Sequence, residues 1–164
     1  MSWLSHWVRN TFYASKKPKT KVKRMTSSEL RQLLRSLPGT PTIDIPDRDY
    51  ACPSKEWVLG GFYNWYCKVL DGLKLSYRKN FDCDNFAGMF FELAQACHGQ
   101  TKDAPTEGLA VGKIKFLVDG DPTRGHAINI VVSEDGAWFI EPQSGSEVTL
   151  SSVELRSVYA ISFY

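Results

Sequence analysis

Several things are scarce in this chain of 164 residues, and each shortage excludes a class of protein. No apolar run approaches the roughly 20 residues that a membrane-spanning helix needs. The opening stretch, Met1-Ser-Trp-Leu-Ser-His-Trp-Val-Arg9, lacks the basic start, clean apolar stretch and small-residue cleavage site of a secretory leader. The expected compartment is therefore the cytoplasm. Cysteine is sparse, with four residues at 52, 67, 83 and 97. Their spacings fit neither a zinc pattern nor a CxxC redox pair, and a cytoplasmic setting would keep them reduced. There is no zinc finger, RRM or other nucleic-acid motif, which argues against a nucleic-acid partner. No internal repeat is visible. What remains is ordinary for a globular domain: 43% hydrophobic and 23% charged residues.

The charge is unevenly spread. The net value of +2 conceals a basic front end: residues 1–36 hold nine Lys or Arg against one Glu, a net of +8, which leaves −6 for the rest. Trp3, Leu4, Trp7, Val8 and Phe12 recur every three or four residues and predict an amphipathic helix over 1–14. That face suits packing on the fold, a protein partner or a membrane surface. The six cations of 15–25 read as a solvated linker. Residues 1–36 are thus expected to form an arm, with possible partners for residues 1–24, and 37–164 the main domain.

Along the domain the hydrophobic period changes once. Thr26-Ser-Ser-Glu29 has capping-box spacing and opens a helix through Leu37, stopped by Pro38-Gly39. Residues 38–54 read as an extended connection. Trp57 to Leu73 predicts a helix whose start is weakened by Gly60 and Gly61. Asp82 is a natural N-cap for a helix carrying Phe86, Ala87, Phe90, Phe91 and Ala94. After a polar loop the period becomes two. Strands are predicted over 109–118, 126–132 and 137–142, with Glu134-Asp135-Gly136 closing a hairpin. An extended piece at 148–150, a helical turn at 153–155 and a last strand at 158–163 follow. Helices first and an antiparallel sheet second give an α+β class.

The chemistry-bearing residues are Cys83, His126 and Glu141. Cys83 falls in the first turn of its helix, where free N–H groups and the helix dipole favour a thiolate. It is equally a small buried hydrophobe by type. His126 heads one strand and Glu141 ends the next. A thiol nucleophile needs an imidazole base, and the imidazole needs a carboxylate or amide to orient it. His126 as a strand-edge histidine and Glu141 as an exposed acid are the plain alternatives.

Asp82-Cys83-Asp84-Asn85-Phe86-Ala87, Gly125-His126-Ala127-Ile128-Asn129-Ile130 and Trp138-Phe139-Ile140-Glu141-Pro142-Gln143 resemble, in this order, the papain-like thiol hydrolases. Within that group they are similar to the C-terminal protease domain of the fungal Marasmius agglutinin and to bacterial and phage proteins sharing it. The match spans about residues 75–164. The resemblance implies a papain-like fold and a calcium-activated cysteine protease with Cys83 as nucleophile, His126 as base and Glu141 as orienting acid. The reaction implied is cleavage of an amide bond in a protein or cell-wall peptide through an acyl-enzyme. It implies calcium ligands at Asp84 and Gln143, with Asp82, Asp119 and Asp121 as substitutes. Tyr77 and Asn80 are candidate oxyanion donors, because papain's upstream Gln has no counterpart: no Gln lies between Gln32 and Gln95. Acyl transfer is a related outcome. The competing expectation is an idle scaffold of the same shape, acting in binding or assembly through its basic arm.

Overall fold

The computed structural model describes residues 23–100 and 106–164. The amphipathic helix expected over 1–14, most of the basic linker and part of the polar loop lie outside the described residues.

The chain enters through β1 (Lys23–Thr26) and turns at once into α1 (Ser27–Arg35). The capping box forms as its spacing predicts. Thr26 Oγ1 accepts from the Glu29 N–H at 3.2 Å, and the Glu29 carboxylate accepts from the Thr26 N–H at 2.8 Å. Leu30 and Leu34, four apart on one face, are fully buried. They join the same core as residues beyond 37.

Between Pro38 and Ser54 the expected connection contains two strands, β2 (Thr42–Asp44) and β3 (Asp49–Cys52). Gly60 and Gly61 sit in a wide π-type turn, Trp57–Phe62, ahead of α2 (Tyr63–Leu73). Glycine's poor helix propensity accounts for the irregular start. Lys74, in the left-handed region at φ 54°, ends that helix. Helix α3 (Cys83–Gly99) follows.

The second half supplies β4 (Gly108–Leu109), β5 (Val111–Leu117), β6 (Gly125–Ser133), β7 (Gly136–Glu141) and β8 (Ser146–Val148). A short helix α4 (Ser152–Arg156) and strand β9 (Ala160–Ser162) complete it. The larger sheet has the order β2-β9-β5-β6-β7-β8, and a smaller one has β1-β3-β4. Alternation along the central strands builds two cores. Ile114, Phe116, Ile128 and Ile130 face Leu30 and Leu34, while Val111, Val131 and Ile140 face Phe86 and Phe90.

The α+β class holds. The finer expectation, helices packed on a purely antiparallel papain-like sheet, is corrected. Strands also occur ahead of the helices, and both sheets are mixed: β2 runs parallel to β9, and β3 parallel to β4. Each of these partners is more than fifty residues away in sequence, so no local pattern announces the pairing.

Candidate functional site

Three elements bring the predicted residues to one end of the larger sheet: the first turn of α3 and the ends of β6 and β7. Asp82 caps α3, its carboxylate accepting from the Asp84 N–H at 3.3 Å. The Asn85 side chain accepts from the Asp82 N–H at 3.1 Å and completes a capping box. Asn in place of Glu or Gln at that position hides the box from a sequence scan.

Strands β6 and β7 pair antiparallel with Asn129 opposite Ile140. Continued, this register sets Glu141 opposite Ile128, one same-face step from His126. The two side chains meet: His126 Nε2 and Glu141 Oε2 stand 2.8 Å apart, both mostly buried. The other side of the ring packs edge-on against Phe116, centroid to centroid 5.7 Å. Glu141 is held in turn. Its Oε1 accepts from the Gln143 N–H at 3.1 Å, and the turn closes with Gly145 N–H donating to the Glu141 carbonyl at 2.8 Å.

Cys83 stands differently. Its thiol is partly buried and makes no hydrogen bond to His126. The Ala127 and Asp84 backbone amides lie close enough to favour its ionised form. Burial outweighs them, and with the charges of Asp84 and Asp82 it pushes the thiol above its usual range. The strand pleat explains the separation. Ala127 and Asn129 point toward α3, and the Asn129 amide donates to the Ala87 carbonyl at 3.0 Å. Alternation puts His126, with Phe116, on the other side.

Asp84 is taken up by Lys115, Nζ to Oδ2 3.0 Å, and this raises the Lys115 pKa. Gln143 is exposed and bonded to Glu141. Among the described residues no group of three His, Cys, Asp or Glu side chains stands close enough to hold a metal. Asp121 caps its own turn through Thr123, and Asp119 pairs with Arg124 at 3.1 Å. Tyr77 is 65% exposed, and Asn80 lies in the exposed turn bridged by Arg78 and Phe81. Neither side chain makes a hydrogen bond within the described residues.

Sequence reasoning missed three contributors. The Lys115–Asp84 pair spans thirty-one positions and leaves no local trace. Asn129, fully buried inside an apolar strand, was readable as an out-of-place polar residue. Tyr63 packs so tightly against Gly145 that a methyl group there would overlap its ring.

No protein family matches the chain, and no curated protein does. Solved structures do. The complex described as "PSL1a–E64" aligns with a TM-score of 0.70 at 20% identity, over 85% of this chain and 51% of the other. Polyporus squamosus lectin bound to the human-type influenza-binding epitope Neu5Acα2-6Galβ1-4GlcNAc aligns at 0.67 and 19%, over 85% and 49%. The chain therefore spans about half the length of the proteins it resembles, and at this identity the likeness concerns the fold. It corrects the family expectation: neither description names a papain-like hydrolase, and one names a lectin. The reading as an amide-cleaving cysteine hydrolase is withdrawn with it.

Proposed function

We propose that this chain is a ligand-binding domain, and that its ligand is a glycan taken at the rim formed by Asp84, Lys115 and Tyr159. The fold likeness to a lectin over 85% of the chain carries this reading. The rim chemistry supports it. Asp84 and Lys115 offer a carboxylate and an ammonium to solvent, each side chain more than a third exposed. Tyr159, 48% exposed beside Gly125, adds an aromatic surface of the kind on which a sugar ring stacks. Hydroxyl-rich ligands need such fixed donors and acceptors around an apolar platform. Burial, the largest cause, raises the Cys83 thiol above its usual range, which disfavours it as a nucleophile.

The experiment pairs a glycan array with thiol labelling. Binding of defined oligosaccharides, weakened roughly tenfold by Tyr159→Ala, is expected. Cys83 should react with iodoacetamide at neutral pH no faster than Cys67. An array without hits sinks the glycan assignment. A Cys83 that labels far ahead of the other thiols, and loses that advantage in His126→Ala, sinks the binding reading as a whole.

A further inference from the structure

Away from this rim, the solvent face of α1 borders a cleft of about 350 Å³ lined by Ser28, Arg31, Gln32, Arg35 and Ser36. These positions fall at helical spacing on one side, opposite the buried Leu30 and Leu34. Every lining residue carries a hydrogen-bond donor and none is acidic. Arg31 and Arg35 are one helical turn apart, which brings their Cβ atoms within about 5–6 Å. Like charges at that spacing destabilise a helix unless something answers them. Among the described residues, neither guanidinium has a carboxylate within ion-pair distance. The one nearby helix acid, Glu29, is committed to the Thr26 cap. Arg31 is also held in place, because its Nη1 donates to the Ile43 carbonyl at 3.2 Å and leaves its other N–H groups available. A fixed guanidinium beside a second, exposed one presents several N–H donors to one small anion. Two such forks match the oxygens of a tetrahedral oxyanion.

We propose that Arg31 and Arg35 form a binding site for one phosphate or sulfate group, free or carried as a monoester. The site is separate from the rim and does not depend on the glycan reading.

The test is an NMR titration of the full chain, following arginine side-chain and α1 backbone signals. Inorganic phosphate and glucose 6-phosphate are added in parallel, with ionic strength held constant by sodium chloride. Saturable shifts centred on Arg31, Arg35 and Gln32 are expected with at least one of the two. Tighter binding of the ester would identify a carried group, and tighter binding of the inorganic ion a free one. Arg35→Gln, at an exposed position, should keep the fold and weaken binding roughly tenfold. Arg31→Gln should do the same, with unchanged circular dichroism confirming an intact helix. Linear, non-saturating shifts with both probes overturn the proposal. So does an Arg35→Gln protein that binds as the parent does, or chloride alone reproducing the effect.

Discussion

Cys83 shows how a position can point one way and its surroundings another. At the start of α3 the dipole and free amides draw a thiol toward ionisation. Burial and the two flanking carboxylates, Asp84 and Asp82, push back and prevail. The thiolate is therefore disfavoured at Cys83. Asp84→Asn removes one of those charges and releases Lys115 from its pair. Both effects favour the thiolate. Alkylation of Cys83 at pH 8 should then rise roughly threefold, read by mass spectrometry of the labelled peptide. An unchanged rate would mean that burial alone controls the thiol. The neighbouring pair behaves otherwise. That His126 and Glu141 lie near each other was readable from the hairpin between them, while the register that puts them on one face comes from the pairing of β6 and β7. The place of Cys83 relative to them was not readable. It depends on how α3 lies across the sheet, and no spacing within one element encodes that.

Among the elements, those with local codes were legible and those defined by distant partners were not. Capping chemistry marks α1 and α4 in the sequence itself: Thr26 with Glu29, and Ser151 with Glu154. Thr26→Ala should cost about 1 kcal/mol in urea denaturation, because it strands an N–H that the hydroxyl now satisfies. A loss under about 0.3 kcal/mol would show that water replaces the cap without penalty. The central strands announced themselves by period two, and their order β5-β6-β7 follows from short turns. Strands β2 and β3 have three and four residues, and they read as connection because only pairing with β9 and β1 makes them strands. The turn after β7 is a further case. Gly145 has φ 72°, a left-handed conformation that costs other residues, and Tyr63 fills the space where a Cβ would go. Gly145→Ala should therefore destabilise by more than about 1 kcal/mol, combining backbone strain with the displaced ring. The same change should loosen the Glu141 turn, seen as faster amide exchange at Gly145, whose N–H closes it.

At the scale of the whole molecule, one sheet serves as the wall between two cores. Most ionisable groups that depart upward from their usual range lie against that construction. Cys97 is pushed up to about 12 and Tyr50 to about 12, each chiefly by burial, and Cys52 and Cys83 are raised in the same direction. The sign of the consequence follows from proton counting. Unfolding exposes these groups and returns them to ordinary values, near 9.0 for the thiols. Above that pH the unfolded chain releases protons that the folded chain retains, so stability falls as pH rises. Below it both states hold the same protons and these groups contribute no slope. The melting temperature, measured in reductant, should accordingly be flat from pH 7 to 8 and decline from about pH 9 upward. Cys97→Ala removes the most strongly raised of the thiols and should visibly flatten that decline while leaving the neutral-pH plateau in place. A parent protein whose melting temperature holds steady through pH 11 would contradict the burial from which the prediction is drawn. A decline that Cys97→Ala leaves untouched would move its origin to the tyrosines that burial also raises, Tyr50, Tyr63 and Tyr66.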